Sequence, residues 1–201
     1  MRVSVILAHP SKESFNSALA RACVEALRKN GHTVSFHDLY RERFNPVLPA
    51  KERRKNVRLP APVARHCREI AAAEGLVLVH PNWWGEPPAI LKGWVDRVLR
   101  PGVAYDFPPG PKGAAGLPIE LLKIRCCLVL NTSDTPRERE ENELGDPLRT
   151  IWKNTLAFCG VRNYHRFMYR VIVTSTPVQR ARWLADARSR ITRLFPRRLT
   201  A

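Results

Sequence analysis

Three polar segments, each directly after an apolar run, hold the residue types that could bind a phosphate and a flat ring. The first, residues 9–16, reads His-Pro-Ser-Lys-Glu-Ser-Phe-Asn and contains no glycine, so it is neither a Walker loop nor a Gly-x-Gly-x-x-Gly fingerprint. Asn16 is predicted to open a helix, whose first N–H groups and dipole favour an anion. The side chains of His9, Ser14 and Asn16 could add hydrogen bonds to a phosphate. An ordinary helix cap without a ligand is the alternative.

The second segment, residues 80–88, reads His-Pro-Asn-Trp-Trp-Gly-Glu-Pro-Pro. Trp83 and Trp84 are adjacent and cannot both face one core, so at least one is predicted to line a cleft or an interface. A flat ring such as isoalloxazine needs an apolar wall and backbone donors along its polar edge, and this segment offers both. The alternative is that both indoles fill core and dimer contacts.

The third segment, Asn131 to Pro136, carries short hydroxyl and amide side chains. Such residues leave backbone N–H groups accessible to a ring carbonyl or nitrogen. They also form ordinary turns, so this segment alone is a weak indication.

Apolar runs alternate along the chain with longer helical patterns. This order favours an α/β fold with a parallel, doubly wound, five-stranded sheet in a three-layer single domain, 1–201, with surface excursions at about 41–60 and 101–122. Helices are predicted from Asn16 to Gly31, over 63–73, from Pro87-Pro88 onward, around 148–159 and in the final segment. The predicted strands are 3–8, 33–39, 76–80, 126–130 and 171–173.

The predicted sheet brings the three polar segments together. Ligands of open α/β sheets bind at the carboxyl ends of the strands, where the strand order reverses. The segments that follow the first, third and fourth strands are therefore expected to form one site.

The formal net charge of +16 is the unusual global property of the chain. It favours a solvated basic surface that also attracts anionic nicotinamide cofactors. A dedicated nucleic-acid surface is disfavoured, because no recognition motif accompanies the charge. Arg180 is expected to be an exposed helix arginine, although contact with an adenylate is an alternative.

The five cysteines lack Cys-x-x-Cys spacing. We expect reduced, buried thiols, with neither a disulfide nor a metal site. No run of 18 apolar residues could span a membrane, and the first residues lack the features of a secretory signal, so a cytoplasmic location is expected.

Two motifs resemble the NAD(P)H:quinone oxidoreductase family, flavodoxin-like flavoproteins that include bacterial NAD(P)H-dependent oxidoreductases and general stress proteins. They are His9-Pro10-x4-Phe15-Asn16 and the run from Pro81 to Trp94; weaker matches are Gly145-Asp146-Pro147 and Phe158-Cys159-Gly160. The resemblance extends from the first strand to the last helix. It implies a flavodoxin-like sheet.

The resemblance also implies a cofactor and its binding residues. FMN or FAD would be reduced by NAD(P)H and would pass two electrons to a quinone, nitro or azo acceptor, typically in a homodimer. Tyr105 and Phe107 match positions where relatives place aromatic residues on the substrate side. Phosphate and ribityl contacts are implied for His9, Ser14, Phe15 and Asn16, and ring contacts for Pro81, Asn82, Trp83, Trp84, Thr132, Ser133, Asp134 and Thr135.

One departure from the family concerns proton handling. Well-known relatives carry a Tyr and a His between the fourth strand and the next helix, whereas residues 134–146 contain neither, and Leu144 stands at the position of the histidine. Water, Tyr105 or Glu138 would then take this part. A regulatory flavoprotein that binds a membrane transporter of a potassium-efflux system is the alternative function, followed by a one-electron flavodoxin.

Overall fold

A five-stranded parallel sheet forms the centre of the protein. The computed structural model describes residues 1–107 and 118–197. The strand order is β2-β1-β3-β6-β7, so the order reverses between β1 and β3. This is the flavodoxin-like order, and it confirms the predicted fold class. The strands are β1 (Arg2–Leu7), β2 (Thr33–Asp38), β3 (Gly75–Pro81), β6 (Cys126–Ser133) and β7 (Tyr164–Arg170); a separate antiparallel pair is formed by β4 (Tyr105–Asp106) and β5 (Ile119–Glu120).

Helices cover both faces of the sheet and complete the three layers. One face packs against α1 and α5, and the other against α2, α3 and α4. The side chains of β3 alternate between these two cores: Leu76 and Leu78 enter one, and Val77 and Val79 enter the other. The helices are α1 (Phe15–Lys29), α2 (Ala61–Ala72), α3 (Ala89–Val98), α4 (Pro147–Phe158) and α5 (Pro177–Leu194).

The cysteines are buried and free. Cys126 and Cys127 are neighbours on β6 and lie in opposite cores, as the two-residue period of a strand requires. Burial raises the pKa of the Cys23 thiol to about 12. The expectation of reduced, buried thiols therefore agrees with the structure.

The predicted fifth strand at residues 171–173 is wrong. The strand is β7, which ends at Arg170, and Val173 lies in an exposed bend. The prediction was wrong because residues 171–173 are all apolar, whereas the observed strand contains arginines. Arg166 is tolerated there because its Nη1 pairs with Asp146 Oδ2 at 2.6 Å.

The two predicted excursions carry local structure. In the first, a 3-10 helix (Ala50–Arg53) is held by Glu52, whose carboxylate pairs with Arg97 on α3 at 2.7 Å in a fully buried contact. Gly93 permits this docking, because a Cβ there would lie 2.2 Å from the Pro46 carbonyl oxygen. The second contains β4 and β5; its residues 108–117 lie outside the described residues.

None of the helices in the described parts of the chain is both long enough and apolar enough to cross a membrane.

Candidate functional site

A cavity of about 390 Å³ lies at the carboxyl ends of β1, β3 and β6, next to the point where the strand order reverses. All of the predicted binding residues except Trp84 line it. The three polar segments, which are far apart in sequence, therefore meet at one place in the structure. Their individual binding roles remain predictions. The lining also includes Glu13, Ile172 and Arg180.

The amino end of α1 borders this cavity. The helix begins at Phe15, one residue before the predicted start, because Ser14 is its N-cap and accepts a hydrogen bond from the Ser17 N–H at 3.1 Å. The first turn of a helix leaves N–H groups without intrahelical partners, and these favour an anion. This end of the cavity is suited to a phosphate.

His9 can act as a neutral hydrogen-bond donor at the same end. Burial lowers the pKa of its imidazole. His9 Nδ1 lies 3.1 Å from the Ser11 N–H, which donates to it, and 3.3 Å from the Ser11 carbonyl; the shorter contact assigns the ring hydrogen of the neutral form to Nε2. A neutral N–H donor adds a hydrogen bond to an anion without the cost of burying a further charge.

Two side-chain amides leave buried acceptors at the cavity. Asn16 Nδ2 donates to Thr132 Oγ1 at 2.8 Å, and Asn82 Nδ2 donates to Glu140 Oε1 at 2.6 Å. Asn16 Oδ1 and Asn82 Oδ1 are buried and have no hydrogen-bond partner among the described residues. Because a buried acceptor without a partner is costly, this arrangement indicates a ligand that brings N–H or O–H donors.

The adjacent tryptophans have different environments. A two-residue turn joins Trp83 to Glu86, whose backbone groups exchange hydrogen bonds of 3.1 and 2.9 Å. Trp84 and Gly85 both have positive φ, which makes this a type I′ turn. The indole of Trp84 is therefore fully exposed outside the cavity, whereas Trp83 lines it. The structure thus gives no support to the predicted ring contact of Trp84.

The expectation that Arg180 is an exposed helix arginine is wrong. It is half-buried at the cavity rather than exposed on a helix face. Its Nε donates to Ser175 Oγ at 2.7 Å and its Nη2 to the Ile172 carbonyl at 3.0 Å, which fix the guanidinium in place. This residue brings a positive charge to the lining. Contact of Arg180 with an adenylate was the alternative expectation, and its position at the cavity is compatible with that alternative.

Neither predicted proton donor lies in the cavity. Glu138 is exposed, and Tyr105 packs at 4.8 Å between ring centroids against Phe158, beside a different pocket. The carboxylate next to the cavity residues is that of Glu140, which is 1% exposed and bonds to Asn82 and Ser133. Glu140 lies in a π-helical turn over Arg139–Glu143, which begins directly after residue 138.

Comparison with known proteins agrees with this fold. Residues 1–194 match the protein family described as "Flavodoxin-like fold". An uncharacterized NAD(P)H oxidoreductase of Haemophilus influenzae is 41% identical over 104 residues, 50% of this chain and 52% of that protein. The mouse ribosyldihydronicotinamide dehydrogenase [quinone] is 32% identical over 184 residues, 80% of this chain and 78% of that protein.

A solved structure is similar over its whole length. The NAD(P)H:quinone oxidoreductase from Methanothermobacter marburgensis has a TM-score of 0.80 and 27% identity, and the match covers 99% of both chains. The chain spans about half the length of the first curated relatives that it matches. It belongs to the flavodoxin-like fold family, and the resemblance to NAD(P)H:quinone oxidoreductases is confirmed.

Proposed function

We propose that this protein is a flavin-dependent oxidoreductase that uses NAD(P)H to reduce a quinone or a similar small acceptor. The observation that carries the proposal is the single cavity at the β1/β3 reversal, which is lined by residues of three segments and holds two unpaired amide oxygens. This is the point at which the flavodoxin-like strand order binds FMN. Support for the reduced nicotinamide donor and the quinone acceptor comes from the relatives, which are named as nicotinamide-dependent quinone reductases.

The residues present fit a flavin. The amino end of α1 and the Nε2–H of His9 would hold the phosphate. The unpaired oxygens of Asn16 and Asn82 would accept hydrogen bonds from hydroxyl or ring N–H groups. Trp83, 41% exposed beside the cavity, would provide an apolar wall. FMN and FAD share all of these groups, and Arg180 offers a charge for the second phosphate of FAD.

A bound flavin would supply the chemistry of hydride and two-electron transfer between NAD(P)H and the acceptor. The protein residues bind and orient the ring and exclude water from one of its faces. Asn16 and Asn82 are held by partners of their own, so their oxygens are preorganised for the ligand. Reduction of a quinone adds the equivalent of a hydride and one proton, and solvent can supply this proton.

We further propose a cytoplasmic homodimer in which each subunit covers the cavity of the other. Tyr105, Phe107 and Phe158 form an aromatic cluster with ring centroids 4.8 to 6.5 Å apart, away from the cavity of their own chain. Phe107 and Phe158 are 52% and 41% exposed. A second copy would bury this cluster and bring Tyr105 to the substrate side. Phe158→Asp should then shift the mass in analytical ultracentrifugation from dimer to monomer.

Anaerobic reduction of the purified protein loaded with FMN or FAD tests the activity. We expect NADH or NADPH to bleach the visible absorbance of the bound flavin, and a quinone added afterwards to restore it. Failure of the protein to bind either flavin, or binding without bleaching, would refute the proposal. Bleaching without reoxidation by a quinone would leave a reductase with another acceptor, and nitro and azo compounds would be tested next.

A further inference from the structure

Glu140 is a buried acidic residue beside the candidate site. The sequence pattern did not indicate it, because it lies in a segment with four glutamates, Glu138, Glu140, Glu141 and Glu143. Among these four, Glu140 is buried and the others are exposed. Its backbone N–H donates to the Pro136 carbonyl at 3.0 Å, and its carbonyl accepts from the Asp146 N–H at 2.9 Å. Hydrogen bonds of the two peptide groups that flank the Glu140 Cα therefore hold its backbone in place.

Glu140 lies within a π-helical turn. The Leu144 N–H donates to the Arg139 carbonyl, five residues earlier, at 3.1 Å. Within this wider turn the Glu140 side chain is buried, whereas Glu138 before it and Leu144 after it are exposed. Single π-turns are rare and occur frequently at functional sites, which is a second indication that the position matters.

The carboxylate of Glu140 connects two of the cavity-lining segments. Its Oε1 accepts from Asn82 Nδ2 at 2.6 Å, and its Oε2 accepts from Ser133 Oγ at 3.1 Å. Asn82 follows β3 and Ser133 ends β6, so a single side chain holds the two strand ends together. Both donors are neutral groups. The nearby Arg170 pairs with Glu141 at 3.6 Å and interacts with the charge of Glu140 without a direct ion pair.

These bonds determine what the cavity lining offers to a ligand. Because Asn82 gives its N–H to Glu140, its free atom is the carbonyl oxygen, which is an acceptor. Because Ser133 gives its hydroxyl hydrogen to Glu140, it presents no hydroxyl donor to the cavity. A carboxylate with neutral partners also adds a negative potential in a region of low dielectric.

We propose that Glu140 is a positioning residue that fixes the acceptor orientation of Asn82 and holds the reduction potential of the bound flavin low. The proposal rests on the proposed flavin site. A negative charge next to a ring that gains electrons makes that gain less favourable. The carboxylate therefore acts in two separable ways, through its charge and through the reach of its side chain.

Three variants separate these two effects. Glu140→Gln keeps the length and removes the charge, whereas Glu140→Asp keeps the charge and shortens the reach. Glu138→Gln changes the net charge by the same amount at an exposed position two residues away and is the matched control. The readouts are the dissociation constant for FMN, from quenching of flavin fluorescence, and the midpoint potential of the bound flavin, from titration with reference dyes.

We expect Glu140→Gln to favour reduced flavin about tenfold, which for two electrons is about 30 mV towards positive potential. Glu138→Gln should match the wild type in both measurements. Glu140→Asp should keep a potential close to that of the wild type and bind FMN at least threefold more weakly, because the shorter side chain cannot reach both donors.

Distinct outcomes would overturn distinct claims. A wild-type protein that binds no flavin refutes the proposed function and this inference with it. If the wild type binds FMN but Glu140→Gln has the potential of the Glu138→Gln control, Glu140 does not set the potential. Should Glu140→Gln fail to fold, Glu140→Asp still decides the positioning role, since FMN binding within twofold of the wild type would contradict it.

Discussion

Two clusters of polar residues in this protein look alike by composition but differ in how completely their atoms are paired. The candidate site at the carboxyl edge leaves Asn16 Oδ1 and Asn82 Oδ1 buried without partners. The second cluster, formed by His37, Glu42, His66 and Glu69, anchors the start of the first excursion, and each of its ring nitrogens has a partner. The site therefore has two buried acceptors that a ligand could pair, whereas every ring nitrogen of the second cluster already has a protein partner.

The second cluster has the spacing of a metal site without its chemistry. Ligand atoms of His37, Glu42 and His66 lie within 4.8 Å of one another. However, Trp94 Nε1–H donates to His66 Nδ1 at 3.0 Å, so the hydrogen of His66 stays on Nε2 and is donated to Glu42 at 2.9 Å. No lone pair is then free at Nε2 for a cation. In this protein, unpaired amide oxygens rather than clustered residue types distinguish the candidate site from the second cluster.

Removing an acceptor at the site should give the largest effect. We expect Asn16→Ala to raise the dissociation constant for FMN roughly 100-fold, which is about 2.7 kcal/mol, because the ligand donor loses its partner and Thr132 Oγ1 loses its own. The matched control is Asn142→Ala, at an exposed position in the π-helical turn. Fluorescence titration measures both. If the two variants bound FMN with equal affinity, Asn16 would have no role in FMN binding.

Breaking the second cluster should affect stability and not flavin binding. We expect Glu42→Gln to lower the free energy of unfolding by about 2 kcal/mol, and Tm by about 4–8 °C, because two histidines lose a carboxylate partner. Glu25→Gln removes an exposed glutamate and should cost less than about 0.5 kcal/mol. Urea denaturation checks both values. A loss of FMN affinity in Glu42→Gln would break the distinction between the two regions.

The second cluster should also give the protein a pH-dependent stability. Burial disfavours the charged form of His37, but hydrogen bonds and charge from Glu42 and Glu69 outweigh it and raise the pKa of the imidazole. Burial alone would raise the pKa of Glu42, yet the two histidines lower it to about 2. Stability from His37 is thus complete below its unfolded pKa of about 6.5 and is lost as pH rises through the raised value.

Urea midpoints between pH 6 and pH 9 measure this effect. The wild-type midpoint should fall with rising pH, and that of His37→Asn should start lower and change less. The contribution of Glu42 has the opposite sign, since it is present above about pH 4.5 and is lost as pH falls towards 2. A His37→Asn variant with the same pH slope as the wild type would show that other groups control it.

The smallest expected effect concerns strain at the rim of the candidate site. Trp84 has a φ of 59°, in the left-handed region that bulky residues avoid. Trp84→Asn creates the Asn-Gly pair that type I′ turns favour, so we expect about 0.5–1 kcal/mol of added stability in urea denaturation. FMN affinity should stay unchanged, because Trp84 lies outside the cavity, whereas Trp83→Ala should weaken it about tenfold. Destabilisation by Trp84→Asn would mean that the indole makes a stabilising contact.

The sequence was sufficient for the fold class, for four of the five strands of the sheet and for the segments that line the cavity. Nearly continuous apolar runs such as Leu76 to Val79 identify strands that are buried on both faces, and the order of strands and helices identifies a parallel sheet. The rule that ligands bind where the strand order reverses then predicts that His9, Asn82 and Thr132 lie at one site. The fifth strand was missed because Arg166 and Arg170 are polar, and their acidic partners Asp146 and Glu141 become neighbours only in the folded chain.

By itself, the sequence determined which segments face the carboxyl edge, because strand periodicity and chain order are local properties. The tertiary structure decided which atoms of those segments are paired. It buried Glu140 rather than Glu138, separated Trp84 from Trp83 through a tight turn, and placed Arg180 at the cavity. These outcomes depend on hydrogen bonds between residues distant in sequence or on the exact dihedral angles of a turn, and residue types alone do not specify either.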